Sequence, residues 1–321
     1  MGSEMCIRDS YDLYAAQAKD GGDIFESFEW TTTKIQDTPV EESYYVISPD
    51  RSKVAISSIT GELTLVEVDT NGVFGTPREL LSGWNTANSL SFSPNSEWIA
   101  YSRADLDFNN EIYIQKAEVG AEAINVSMHP RNDLSPVWSP DGSKLGFRSV
   151  RNNGDTDIWF AWLREADWER TRSDWDDYEA DADADIDSTF YIDVEGIHER
   201  LAQVTRLPGN EFNLLISKDG EEFFFSTNGG GRQGSPGGSS FKKIKWNGED
   251  EKTIVGGGNV GSPTLDKKGK NIYYTSRGQH KKVDADGKKS KTLPFSAKMK
   301  VDHRAEPVSY THLTLPTIYS V

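Results

Sequence analysis

Read as apolar and polar positions, the chain repeats itself. Five segments share one layout: a short apolar stretch, a polar turn, and a second stretch whose apolar residues alternate. They are ESYYVISPDRSKVAISS (42–58), NSLSFSPNSEWIAYSR (88–103), LSPVWSPDGSKLGFRS (134–149), EFNLLISKDGEEFFFST (211–227) and VGSPTLDKKGKNIYYTS (260–276). The alternating pairs are Val54/Ile56, Ile99/Tyr101, Leu145/Phe147, Phe223/Phe225 and Ile272/Tyr274, a period of two that predicts strands. Ser-Pro-Asp-Gly suits a type I turn, because proline presets φ at the second position and Asp and Gly suit those that follow. In three copies the residue inside the pair is small (Ala55, Ala100, Gly146), which predicts close approach of a neighbouring sheet. A third strand is predicted in each unit, at 63–68, 111–117, 157–163, 241–246 and 280–287.

The turn residues Ser48, Ser93, Ser139, Ser217 and Thr264 follow one another at steps of about 45, 46, 78 and 47. Four antiparallel strands at such a period make one propeller blade. A β-sandwich would not repeat one turn word at a fixed interval. The expected fold is therefore all-β, a β-propeller with five to six four-stranded blades over residues 20–295. DIFESFEWTTTK (23–34) is expected to be the last strand of a sixth blade. EMCIRDS (4–10) and VSYTHLTLPTIYSV (308–321) match neither the composition nor the rhythm between them. Residues 1–10 and 308–321 resemble translated adapter sequence and are set aside as non-native.

The one long step is explained by an insertion at 164–189. Its acidic part, with Asp181, Asp183, Asp185 and Asp187, invites a calcium-loop reading. Placed on an EF-hand template it puts Ile186 where the turn needs Gly and Ile192 where the bidentate Glu belongs, so the match fails. READWERTRSDWDDYEA (164–180) instead reads as a short amphipathic helix with Trp168 and Trp175 on one face, followed by an acidic linker, all inserted between blades.

Charge and chemistry narrow the picture further. A formal net charge of −16 opposes sequence-nonspecific nucleic-acid binding. No run of about 18 apolar residues is present to form a spanning helix. Cys6 is the single cysteine, so a disulfide framework is excluded. GGGNVG (256–261) satisfies a dinucleotide-binding expression but precedes a strand rather than a helix, and is expected to be an inter-blade loop. NGGGRQGSPGGSS (228–240) is expected to be a long hairpin connection. His129, His198, His280 and His303 show no metal-type spacing, and no Gly-x-Ser-x-Gly elbow occurs. The tryptophans Trp84, Trp98, Trp138, Trp159, Trp162, Trp168, Trp175 and Trp246 sit mostly in or beside predicted strands, where packing is the ordinary role. No catalytic, cofactor-binding or metal-ligating residue is assigned, and no cofactor is expected.

One stretch is unlike generic propeller sequence. FYIDVEGIHERLAQVTRLPGNE (190–211), with Ile-Asp-Val-Glu-Gly-Ile-His-Glu-Arg at 192–200, resembles the strand that follows a charged helical insertion in the propeller of tricorn-like proteases. LPFSAKMKVDHRAE (293–306) is similar to the exit of that propeller toward a catalytic part, so residues 296–307 are expected to begin a linker to it. Ser-Pro-Asp-Gly repeats alone are shared with TolB-like and prolyl-oligopeptidase propellers. The resemblance implies a non-catalytic module of a serine peptidase, acting in access or channelling of peptides or unfolded polypeptide. It also implies packing on downstream catalytic and PDZ-like domains and an inactive chain when alone. Homo-oligomerisation stays open. Neither nucleic acid nor membrane is an expected partner, and a cytoplasmic location is expected, with the periplasm as the alternative. A TolB-like protein-interaction propeller and a propeller hydrolase remain the alternative functions.

Overall fold

The repeated turn word has a side-chain cause. In the first blade Ser48 Oγ donates to Asp50 Oδ1 (2.6 Å) and accepts from the Lys53 amide (2.9 Å). The same hydroxyl accepts the corresponding amide in the next three copies, from Trp98 to Ser93, Lys144 to Ser139 and Glu222 to Ser217. Each serine thus satisfies the first amide of the strand that leaves the turn. The fourth turn position is left-handed throughout. Gly142, Gly220 and Gly269 hold it in the last three copies, while Arg51 (φ 63°) and Ser96 (φ 62°) hold it in the first two. The fifth turn therefore opens at Asp266 rather than at the expected Thr264, which lies within the preceding strand: the Gly269 amide bonds back to the Asp266 carbonyl as Gly220 bonds to Ser217.

The computed structural model describes residues 13–19, 29–36, 38, 40–152, 154–178, 190–229 and 239–294. Two units are distinguished: residues 1–13 with 34–293, and residues 14–33 with 294–321. In the second unit the described part is a two-stranded ribbon, β1 (Tyr14–Ala18) with β2 (Trp30–Lys34). The expected strand at 23–34 is thus represented by β2, and its residues 23–28 lie outside the described residues. So do the acidic run at 181–187, most of the 228–240 loop, the exit after Pro294 and both adapter-like ends.

The first unit carries five four-stranded antiparallel sheets, each built from consecutive strands in sequence order. Blade 1 is β3 (Glu42–Ile47), β4 (Lys53–Ser58), β5 (Leu63–Glu67) and β6 (Arg78–Leu81). Blade 2 is β7 (Asn88–Phe92), β8 (Trp98–Ala104), β9 (Asn110–Lys116) and β10 (Ile124–Asn125). Blade 3 is β11 (Asp133–Trp138), β12 (Lys144–Ser149), β13 (Asp157–Trp162) and β14 (Leu201–Gln203). Blade 4 is β15 (Glu211–Ile216), β16 (Glu222–Thr227), β17 (Ser240–Lys245) and β18 (Lys252–Val255), and blade 5 is β19 (Gly261–Leu265), β20 (Asn271–Ser276), β21 (Gln279–Asp284) and β22 (Ser290–Thr292). The first strands adjoin in the order β3, β7, β11, β15, β19, and each stands at the edge of its own sheet. This is the β-propeller expected from the repeat.

Apolar clusters between successive blades hold the unit together. Ala55 and Leu65 of blade 1 meet Leu90, Ile99 and Tyr101 of blade 2, and Phe160 of blade 3 meets Phe223 and Ile244 of blade 4. The small residues do what their size predicts. A Cβ on Gly146 would sit 3.0 Å from both Ile216 Cδ1 and Leu214 Cδ2 of blade 4. The second strands are nearly wholly buried in blades 1 to 4, whereas β20 buries Ile272 and Tyr274 and exposes Tyr273 between them.

The insertion differs in two respects from the sequence expectation. It lies within blade 3, between its third and fourth strands, rather than between blades. It also forms two short helices, α1 (Glu165–Trp168) and α2 (Arg172–Asp176), not one. The break comes at Thr171, which caps α2 in a reciprocal capping box with Asp174. The break separates the two tryptophans: Trp168 is exposed, while Trp175 stacks on Trp162 at 5.0 Å.

Candidate functional site

The first strands share a repeated irregularity. Each of these strands slips register near its start, between Glu42/Tyr44, Asn88/Ser91, Leu134/Val137, Phe212/Leu215 and Gly261/Thr264. In four blades a small polar residue stands in the bulge with left-handed backbone: Ser89 (φ 55°), Ser135 (φ 57°), Asn213 (φ 56°) and Ser262 (φ 45°). Such bulges leave backbone groups out of the ladder and bend the strand. Side-chain bonds hold two of them in place. Arg148 Nη2 donates to Ser135 Oγ (2.7 Å), and Asn213 Nδ2 donates to the Val260 carbonyl (2.7 Å). The edge strands therefore carry backbone groups displaced from the ladder, chemistry suited to the backbone of an extended polypeptide.

At the turn end of the same strands lies a cavity of about 300 Å³, walled by Val137, Trp138, Leu215, Ile216 and Leu265 with Lys218, Asp266 and Lys267 at its rim. It is apolar within and charged at the edge, which suits an apolar side chain.

The opposite end carries buried acids. Between blades 2 and 3, Asp133 is wholly buried and Arg151 Nη2 reaches its Oδ2 at 2.7 Å. Glu111 sits beside this pair, bonded by Ser127 Oγ, and burial raises its carboxyl above the usual range. Between blades 3 and 4 the same layout lacks the guanidinium among the described residues. Glu211 accepts from Thr227 Oγ1 (2.9 Å) and Thr205 Oγ1 (3.2 Å), and Thr205 also lies 3.5 Å from Asp157 Oδ1. Gly229 stands two residues beyond Thr227, where Arg151 stands two beyond Ser149, so no cation reaches this pair from the strand. Burial pushes Glu211 up to about 8, helped by the charge of Asp157; burial and then Asp155 push Asp157 up to about 6. A cavity of about 320 Å³ opens beside them, lined by Asn152, Asp155, Asp157, Gln203, Arg206 and Leu207.

The insertion acts as a strap across blades 3 and 4. Lys144 is fully buried with its Nζ 4.5 Å from the ring centre of Trp162, 5.8 Å from Trp175 and 5.9 Å from Trp246. Burial lowers the pKa of this ammonium; ring faces and the Ser143 hydroxyl (3.1 Å) surround it. Arg172 of α2 reaches Glu249 of blade 4 at 2.9 Å. The distinctive word at 192–200 closes the strap. Arg200 donates to the carbonyls of Asp193 and Glu195, Gly196 is left-handed, and Asp193 Oδ2 accepts the Glu165 amide at the start of α1. The word that singles out this sequence is thus structural.

Gly256–Gly258 lies between β18 and β19 with no helix after it, as an inter-blade loop. The described histidines stand on separate elements: His129 before β11, His198 in the 3-10 turn Ile197–Glu199, and His280 in β21. Among the described residues no group of three or more His, Cys, Asp or Glu could hold a metal ion, and no helix is long and apolar enough to cross a membrane. The bulges and the buried acids escaped the sequence reading; the recurring Ser or Asn one or two residues into each first strand was their only trace.

Comparison with known proteins adds the relationship. No family model matches the chain. A third of it (106 residues) is 30% identical to a protein of Sulfurisphaera tokodaii assigned as the C-terminal subunit of a tricorn-like protease, and the match spans 12% of that protein. Among solved structures, the tricorn protease aligns over 82% of this chain and 27% of its own, at 13% identity and a TM-score of 0.62. TolB from Acinetobacter baumannii aligns over 83% of this chain and 57% of its own, at 16% identity and a TM-score of 0.54.

Proposed function

We propose, from the premise that this chain is a β-propeller related to that of tricorn protease, that it is the non-catalytic part of a tricorn-like serine peptidase and handles peptides on their way to or from the catalytic part. The observation that carries this reading is the first-strand bulge repeated at Ser89, Ser135, Asn213 and Ser262, which interrupts the ladder on strands that edge their sheets. An extended peptide recognises such edges through its own backbone, with little regard for sequence. The apolar cavity at Val137, Leu215 and Leu265 supplies a place for one side chain.

Two measurements test it. Labelled peptides of mixed sequence should bind the purified chain, and folded globular proteins should not; equal binding of both, or of neither, sinks the reading. Sequencing of the locus beyond Glu306 should find a serine-peptidase core and a PDZ-like domain. A protein-docking propeller of the TolB kind is the second reading, favoured by the larger share of the TolB chain that the alignment covers. It predicts binding of a folded partner instead.

A further inference from the structure

In blades 1 and 2 the loop between the second and third strands is a tight hairpin with one left-handed residue. In blade 1 that residue is Gly61, whose amide bonds back to the Ser58 carbonyl (3.3 Å) while Ser58 bonds forward to Glu62 (2.9 Å). Blade 2 repeats the geometry, with Phe108 bonding to Asp105 (3.2 Å) and Asp105 to Asn109 (2.8 Å). Phe108 therefore stands where Gly61 stands, with φ at 63°. The corresponding loops of blades 3, 4 and 5 also place glycine in this region, at Gly154, Gly229 and Gly278. A bulky L-residue is disfavoured there.

The chain itself gains little from this choice. Phe108 is 74% exposed. Among the described residues its ring contact is Trp84, itself 55% exposed, met edge to face at 5.5 Å and 74°. Leu106, in the same hairpin, is 84% exposed. A strained aromatic held in water beside a second exposed aromatic marks a surface whose partner is another molecule. The edge-to-face angle makes a corner that admits a side chain; a sugar ring stacks on an open flat face, which this corner does not offer. Asp107, exposed between Leu106 and Phe108, adds negative charge, and Asp105 lies in the same turn. The nearby Arg103 guanidinium is turned toward the Ser82 carbonyl at 3.5 Å.

We propose that Trp84 and Phe108 form a docking notch for an extended polypeptide segment that presents an apolar side chain next to lysine or arginine. The aromatic corner takes the apolar side chain, and Asp107 together with the chain's net charge of −16 favours the base. This inference rests on the peptide-handling function proposed above and specifies which peptides are held.

The test uses the purified chain and labelled nonapeptides of Gly and Ser with a central Phe-Lys pair. Anisotropy and the quenching of tryptophan emission should report binding of Phe-Lys, weakened about tenfold in Ser-Lys and in Phe-Glu peptides. Phe108→Gly is the informative variant, because it restores the residue blade 1 uses. It should melt at or above the wild type and yet lose about tenfold in affinity, which unfolding cannot explain. Trp84→Ala should lose affinity similarly. Unchanged affinity in Phe108→Gly overturns the notch while leaving peptide handling intact. Failure of the wild type to bind any peptide overturns both. Binding of a chito-oligosaccharide or single-stranded DNA in place of the peptide, lost in Phe108→Gly, overturns the choice of partner.

Discussion

Replacing Glu211 by glutamine should flatten the pH dependence of stability. Glu211 is 1% exposed, takes hydrogen bonds from Thr205 and Thr227, and faces Asp157; among the described residues no ion pair to either acid is present. Its carboxyl is held at about 8 against an ordinary value of 4.5. The folded chain therefore keeps a proton that the unfolded chain releases, and stability must fall as pH rises from about 4.5 to about 8. At ~1.4 kcal/mol per pH unit the full interval corresponds to at most about 5 kcal/mol, an upper bound of about 10 to 20 °C in melting temperature for a domain of this size. Glutamine carries no charge and can accept from one threonine while donating to the other. Melts followed by circular dichroism at pH 5.5, 7 and 8.5 should show the wild type losing ground relative to Glu211→Gln as pH rises. Parallel curves, or a variant that loses stability faster than the wild type, would refute the buried-acid reasoning.

Three further substitutions probe the packing. Arg151→Ala leaves the wholly buried Asp133 carboxylate without its cation and should cost about 3 kcal/mol in urea unfolding at pH 7; a change below about 1 kcal/mol would show that solvent already reaches Asp133. Trp175→Ala removes the ring that stacks on Trp162 and covers Lys144, and should cost about 2 to 3 kcal/mol and speed tryptic cleavage at Arg170 and Arg172. Unchanged cleavage would mean the strap is held by Arg200 alone. Gly146→Val forces a side chain against Ile216 and Leu214 and should cost about 1 to 3 kcal/mol, read as a lower melting temperature, whereas a neutral result would show that blade 4 yields.

The blade pattern was written in the chain because its causes are local. A serine hydroxyl that caps the next strand, a turn that wants proline and a left-handed residue, and apolar residues at every second position all act within a dozen residues. Small residues at Ala55, Ala100 and Gly146 announced close sheets for the same reason, since volume is a property of the residue itself. The amphipathic pattern of 164–180 misled because Thr171 could also cap a helix, and a capping box outweighed the continuity that would have aligned Trp168 with Trp175.

What needed the tertiary structure is the fate of like residues in like words. Lys53 and Lys144 both follow serine at the start of a second strand. Lys53 stays half-exposed and bonds to the Ser96 carbonyl; Lys144 is fully buried, because only blade 3 carries a strap that closes three tryptophans over it. Asp133 and Glu211 both open a first strand, and one meets an arginine while the other meets a second acid. Phe108 reads as one more aromatic until the hairpin shows it in the place of a glycine. Propensity and period set which residues form strands; charge burial and ring packing depend on partners on other strands and other blades, as with Trp246 of blade 4 over Lys144 of blade 3, and distance in sequence hides them.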